Sequence, residues 1–281
     1  MPTTRDRRNG VTVRRPAPAL RGGTDDRANA SAVAVERAAD VLFLLAEHGE
    51  SSVTDLARGI GSSPSAVHRI LVALKRKGLV EQRASTEGYA LSWSVLALGR
   101  ALNEQSGLRT VALPFMTQLR DSTGETVSLN VRTGFERICV DQVESRHEVR
   151  WVARVGVPSP LFAGATGWTL LAYMSDRELK TYLSKVKLSP LTPHTVVDQT
   201  ALRRELMKVR ANGYAISLQD RIIGLAGISA PIFDRAGEAY AAITVGGRAD
   251  RLDATTFKSW APSITEAARK ITEQSGGQPP A

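Results

Sequence analysis

Residues 63–76 read Ser-Pro-Ser-Ala-Val-His-Arg-Ile-Leu-Val-Ala-Leu-Lys-Arg. Ser63 is a good N-cap and Pro64 a good first helical residue, so the spacing predicts a helix over 64–76. Val67, Ile70, Leu71 and Leu74 fall at i, i+3, i+4 and i+7 and form its core-facing stripe. Ser65, Ala66, His68, Arg69, Lys75 and Arg76 remain on the other face. Small residues at the start of such a helix permit close approach to DNA, and Arg69 then reaches a guanine edge or a phosphate. From Arg69 to Arg83, five basic residues stand against one acid, Glu81. A plain solvated surface gives the same charge run, so its meaning depends on the elements around it.

A second stretch with chemical capacity is Ala163-Gly164-Ala165-Thr166-Gly167, a small-residue loop opening a helix. Free amides and the positive end of a helix suit a carboxylate or carbonyl. Close packing of the helix on a sheet calls for the same small residues, so both readings stand at this point. Catalytic patterns are missing. The four histidines, His48, His68, His147 and His194, have no metal-ligand spacing to one another or to Cys139. There is no Walker loop, HExxH or GxSxG, and Gly246-Gly247 is too short for a dinucleotide fingerprint. No enzyme and no cofactor are expected. The single cysteine, Cys139, excludes an intramolecular disulfide and reads as a packed small hydrophobe between Ile138 and Val140.

The elements that must position these residues follow from the pattern around them. The chain has 281 residues, 42% hydrophobic and 23% charged, enough for two domains with real cores. Its formal charge of +9 favours an anionic partner. Residues 1–30 hold seven Arg and three Asp without apolar periodicity and read as a disordered basic tail. Order is expected from Ser31, with a long helix to Gly49 and a short helix, 52–60, broken at Gly61. The helix over 64–76 follows, and then a hairpin, 79–82 and 89–91, with glycine at its tight turn. Helix, glycine turn, capped helix and hairpin in this order make a winged helix-turn-helix over 31–91, with Arg83 placed on the wing for phosphate contact. Ser92 caps a linker helix over 92–106 that is apolar on more than one face and needs a covering partner.

From 107 to 274 helices and strands are mixed. Strands are expected at 125–132, 136–143, 148–155, 214–219, 225–233 and 239–247. Helices are expected up to Gly124 and at 164–174, 176–185, 199–211 and 253–274. This is an α+β domain with an antiparallel or mixed sheet. Residues 275–281 are expected to fray. No run approaches the roughly 20 apolar residues of a membrane span and the N-terminus has no signal-peptide core, so a cytoplasmic protein is expected.

With these residues in hand, the segment 33–104 resembles the IclR-type winged helix-turn-helix. The resemblance is carried by Val35-Glu36-Arg37-Ala38, Thr54-Asp55-Leu56-Ala57, Ser65-Ala66-Val67-His68-Arg69-Ile70-Leu71 and Gly78-Leu79-Val80. It continues to residue 274 through Arg154-Val155-Gly156, Ala163 to Gly167, Asn212-Gly213-Tyr214, Gly224 and Ile228-Ser229-Ala230-Pro231-Ile232-Phe233-Asp234. The departures are Trp168, which bears on a pocket mouth or an interface, and Ser62 before the recognition helix, which bears on base preference. The resemblance implies a transcriptional regulator with a GAF-like effector domain, acting as a dimer or tetramer on double-stranded operator DNA. It implies that the helix with His68 and Arg69, capped at Ser63, is the recognition helix. It also implies an effector pocket around Ala165, Thr166, Ser217, Leu225, Gly227, Thr244 and Gly246, with Gly164 and Gly167 in the opening loop. Mostly small residues there suggest a roomy cavity with a few hydroxyls, filled by an organic acid or an aromatic catabolic metabolite. Asp220 and Arg221 lie nearby in sequence.

Overall fold

The computed structural model describes residues 26–280, and the side chains of 26–31 and 103–106 are not part of that description. Most of the expected basic tail therefore lies outside the described residues. The chain divides into two compact units, one ending at Gly99 and the other beginning at Arg100. Among the described residues, no helix is long and apolar enough to cross a membrane.

The first unit contains α1 (Asp26–His48), α2 (Val53–Ile60), α3 (Pro64–Arg76) and the hairpin β1 (Val80–Gln82) and β2 (Tyr89–Leu91). α1 begins five residues ahead of the expected Ser31. Val41, Leu45, Leu56, Val67, Leu71 and Leu74 form its core and half-buried Ile70 packs against it, so the stripe read on α3 faces inward. Ser52 caps α2 by accepting from the Asp55 amide at 3.2 Å, and Ser63 caps α3 by accepting from the Ala66 amide at 3.3 Å. Gly61 sits between them at φ +60°, where a Cβ would strain the backbone. This capped, left-handed turn fixes how α3 leaves α2.

At the wing the sequence reading needs one correction. The left-handed residue of the turn is Glu87 (φ 57°), while Gly88 packs beside Glu50. A Cβ on Gly88 would lie 2.5 Å from the Glu50 carboxylate, which also accepts a hydrogen bond from Thr86. The wing is thus pinned to the end of α1.

α4 (Val95–Ser106) spans the division between the units. It starts three residues after Ser92, whose carbonyl accepts from Val95 at 3.1 Å. The second unit follows with α5 (Leu108–Thr123), β3 (Thr126–Thr133), β4 (Glu136–Val143), β5 (Pro158–Pro160), α6 (Ala165–Ala172), α7 (Asp176–Lys185) and α8 (Gln199–Asn212). It ends with β6 (Ala215–Leu218), β7 (Leu225–Phe233), β8 (Ala239–Arg248) and α9 (Ala254–Gln274). The strands form one antiparallel six-stranded sheet in the order β5-β4-β3-β8-β7-β6. The domain is α+β, as its sequence suggests.

Each face of this sheet has its own chemistry because side chains alternate along a strand. Val127, Leu129, Ile228, Ile232, Ile243 and Val245 pack with α5 and α9 in one apolar core. The alternate residues face α6, α7 and α8, whose own core includes Leu161, Leu170, Leu171, Tyr182 and Leu202.

Two expectations for this unit are overturned. Residues 148–155 are not a strand. The edge of β4 is taken by the short β5, and only Val155 makes an isolated bridge, to Cys139. Nor does the C-terminus fray over 275–280. The Gln278 amide donates to Asp234 O at 3.0 Å and its side chain donates to Arg235 O at 2.9 Å. A Cβ on Gly277 would meet Phe233 O at 1.9 Å, so only glycine lets the tail lie against the end of β7.

Candidate DNA-reading helix and effector site

On α3, Ser63, Ser65, His68, Arg69, Lys75 and Arg76 are exposed and Ala66 is half-buried. The outer face read from the sequence is the outer face of the helix. Arg69 has no ion-pair partner among the described residues. Lys75 is committed in part: its Nζ donates to Gln82 Oε1 at 3.2 Å, bracing the helix against the wing. Arg83 is exposed and pairs with Glu81 at 3.2 Å. An exposed pair of this kind is worth about 0–1 kcal/mol, too little to withhold Arg83 from a phosphate.

In the second unit the register places Ser217, Gly227, Gly246 and Thr126 in one row across the sheet. Ala215, Ser229, Thr244 and Ser128 form the next. This is the face turned away from the α5–α9 core, and its polar members are buried. α6 lies over it. Thr166 Oγ1 is 2.8 Å from Thr244 Oγ1, Thr244 donates to Ser229 Oγ at 2.9 Å, and Ser229 donates to Ile243 O at 3.2 Å. Each hydroxyl has one proton, so Thr166 is the donor to Thr244. Thr169 donates to Ser229 O at 3.2 Å, a second tie from α6 to β7.

Asp220, buried in the β6–β7 loop, joins two further site residues. Its carboxylate accepts from Ser217 Oγ and, at 2.7 Å, from the Gly164 amide. Gly164, at φ +87°, is the N-cap of α6. Ala165, Thr166 and Gly167 are buried, and no acceptor among the described residues faces their amides. They are the free donors of a helix start.

Sequence reasoning did not single out Ser128, Asn130, Arg137 and Ser229 as members of this buried polar face. The signal was present: Thr126-Val127-Ser128-Leu129-Asn130 alternates polar and apolar at period two, which marks a strand polar on one side. Arg137 Nη2 donates to Ala163 O at 3.3 Å, and burial beside Arg221 pulls its pKa down to about 9. Burial also lowers the pKa of Arg221 and pushes that of the Cys139 thiol up to about 11.

The other expected pocket residues divide by location. Thr166, Ser217, Gly227, Thr244, Gly246 and the Gly164–Ala165 cap are brought together under α6. Leu225 lies farther along the same face, where it lines an open cavity of about 420 Å³ with Trp151, Val152, Ile223 and Arg248. Trp151 separates the two regions, for its ring stands 3.4 Å from where a Cβ on Gly246 would be. The expected roominess is therefore at the end of the sheet, and the hydroxyl cluster itself is closely packed. Gly167 serves that packing, since a Cβ there would lie 2.2 Å from Leu161 O. Trp168 points inward and donates to Phe162 O at 2.8 Å, so it lines neither a mouth nor an interface.

Comparison with known proteins agrees with both halves of this description. Residues 34–84 match the IclR helix-turn-helix domain, and residues 100–273 match the domain described as bacterial transcriptional regulator IclR C-terminal. The chain is 34% identical over 239 residues to the HTH-type transcriptional regulator BhcR of Paracoccus denitrificans, covering 85% of this chain and 86% of that protein. The crystal structure of the Thermotoga maritima IclR superposes with a TM-score of 0.71 at 29% identity, over 87% of this chain and 99% of that one. An IclR homologue from Microbacterium hydrocarbonoxydans, crystallised with 4-hydroxybenzoate, shares the fold with a TM-score of 0.74 at 24% identity, over 86% of this chain and 99% of that one. A helix-turn-helix domain followed by this effector domain makes a DNA-binding transcriptional regulator: the chain belongs to the IclR family.

Proposed function

We propose that this regulator reads a palindromic operator as a homodimer in the cytoplasm, with α3 in the major groove and the β1–β2 wing on the backbone. Ser65, Ala66, His68 and Arg69 meet base edges, while Ser63, Lys75, Arg76 and Arg83 meet phosphates. We further propose that a small organic acid binds between the start of α6 and the sheet and changes operator affinity. The observation that carries the ligand half is the buried polar face under α6. Amides of Ala165 and Thr166 without acceptors sit above the hydroxyls of Thr166, Thr244 and Ser217. A carboxylate satisfies such amides and gains from the helix dipole. The relative crystallised with 4-hydroxybenzoate supports an acid of that size.

The dimer half rests on exposed apolar side chains. Val35 and Phe43 on α1, Trp93, and Leu96, Leu98 and Leu102 on α4 are each more than 60% exposed in the single chain. A second copy is the partner that brings two recognition helices to a two-fold operator.

The test has two stages. Selection from random DNA with the full chain identifies the operator, and a palindrome with half-sites spaced by about one helical turn or a multiple is expected. A thermal-shift screen of organic acids then finds ligands, and the positives are added to operator titrations. Acids that stabilise the protein without moving operator affinity would break the proposed link.

A further inference from the structure

At about 100° of turn per residue, Ser65, Arg69, Val72 and Arg76 recur at i, i+4, i+7 and i+11 and share one row along α3. Val67, Leu71 and Leu74 are buried on the opposite side of the helix, so this row stands farthest from the core of the winged domain. Every member of the row is exposed. Ser65, Arg69 and Arg76 are polar or charged, as an exposed row requires. Val72 is aliphatic and 49% exposed, and it belongs neither to the core nor to the half-buried residues packed against it.

A lone exposed valine is ordinary on a protein surface. The surroundings of this one are not. Arg69 and Arg76 bracket it on the row, and His68 and Lys75, at i−4 and i+3, flank it. No acidic residue lies anywhere in α3. Two copies of such a face repel each other, so its charge fits a polyanion and disfavours a second copy of this chain. A β-branched side chain also loses rotamer freedom in a helix, and Val72 gains no core packing in return. An apolar group ringed by cations matches one feature of the DNA major groove: the 5-methyl group of thymine, the apolar patch among base acceptors and phosphates.

The spacing along the helix sets where that thymine lies. Three residues of α3 are a rise of about 4.5 Å, and the bases of one strand are spaced about 3.4 Å apart along the duplex axis. Neighbouring side chains of one row therefore reach positions about one or two base pairs apart. Arg69 is the residue of the row suited to guanine O6 and N7.

We infer that Val72 is a specificity-determining residue, whose methyl groups pack on the 5-methyl group of a thymine about one or two base pairs from the guanine contacted by Arg69. The inference rests on the proposed placement of α3 in the major groove, and it assigns an A·T pair to that position of each half-site. A cytosine there would turn its N4 amino group toward the valine methyls and leave that donor without an acceptor.

The test uses the full chain and duplexes carrying the operator selected from random DNA. Each thymine of a half-site is replaced in turn by deoxyuridine, which deletes the 5-methyl group and leaves base pairing intact. Dissociation constants are read by fluorescence anisotropy at one fixed salt concentration for wild type, Val72→Ala and Arg69→Ala. At one thymine beside the base pair read by Arg69, wild type should lose about fourfold in affinity per half-site, the value of one buried methyl group. Val72→Ala should bind the unmodified operator more weakly and should lose less than about twofold from the same deletion, because the two changes remove one shared contact. Val72→Ala should melt no lower than wild type, since alanine suits an exposed helix position better than valine. The inference is overturned if no thymine there responds to loss of its methyl group, or if wild type and Val72→Ala lose equally. It is also overturned if Val72→Ala alters the oligomeric state in sedimentation, which puts Val72 in a subunit contact. Arg69→Ala separates this inference from the reading beneath it. If Arg69→Ala weakens operator binding and no methyl deletion does, the reading helix stands and the role of Val72 falls. If Arg69→Ala and Val72→Ala both leave operator affinity unchanged, the placement of α3 in the groove falls as well.

Discussion

Replacing Thr244 with valine keeps the shape of the side chain and deletes one hydroxyl from the centre of the hydrogen-bonded series between α6 and the sheet. Thr244 accepts from Thr166 at 2.8 Å and donates to Ser229 at 2.9 Å. Thr166 and Thr244 are 5% exposed and Ser229 is fully buried, so water does not replace the lost partner. The Thr166 hydroxyl becomes a buried donor with no acceptor, a defect of about 1–3 kcal/mol. For a cooperative unit of this size that is a fall in melting temperature of about 2–10 °C. The double variant Thr166→Val/Thr244→Val removes the stranded donor as well, so its cost should be smaller than the sum of the two single changes. Differential scanning calorimetry of the wild type, both single variants and the double variant measures this coupling. A Thr244→Val protein that melts within about 1 °C of wild type, or strictly additive costs, would refute the hydroxyl series as a structural tie between α6 and the sheet.

Other expectations follow from exposed or tightly packed positions. Arg69→Ala should keep its fold, since Arg69 is exposed, and should lose about 1–3 kcal/mol of operator affinity per half-site with relaxed sequence preference, read by fluorescence anisotropy at fixed salt. Arg83→Ala should weaken binding to operator and unrelated DNA alike and reduce the salt slope by about one for each phosphate no longer neutralised; altered preference with an unchanged slope would contradict this. Gly167→Ala places a methyl 2.2 Å from Leu161 O and should destabilise the effector domain by about 1–3 kcal/mol or more in chemical denaturation. Cys139 is 6% exposed with its thiol pKa raised to about 11, so it stays protonated at pH 8 and should react with a soluble disulfide reagent only as the protein unfolds.

The DNA-binding unit was legible because its signals are local. Ser52 and Ser63 as caps, Gly61 in a left-handed turn and the stripe through Val67, Leu71 and Leu74 each act within a few residues. The hairpin was placed for the same reason, but the role of Gly88 was not, because it depends on Glu50 across the fold. In the effector domain the long strands and helices were readable. The segment 148–155 looked like a strand because it is rich in valine, yet β5 already occupies the only neighbouring edge. The tail after Gln274 looked mobile because no local pattern shows that Gly277 rests on Phe233 O. The candidate site was half legible. Thr166, Thr244 and Ser217 were named, while Arg137 and Ser229 come from strands whose register only the folded sheet reveals.

On the proposed reading, a ligand held in the effector domain changes how tightly the winged domain grips its operator. The most direct measurement is the operator dissociation constant of the full chain at one fixed salt concentration, with and without a saturating acid found by thermal shift. Coupling of about 1–3 kcal/mol, a change of about 5–150-fold, is predicted. The affinity of the protein for that acid should change by the same factor when operator is bound, because the linkage is reciprocal. An operator affinity identical with and without every acid that stabilises the protein would contradict the account.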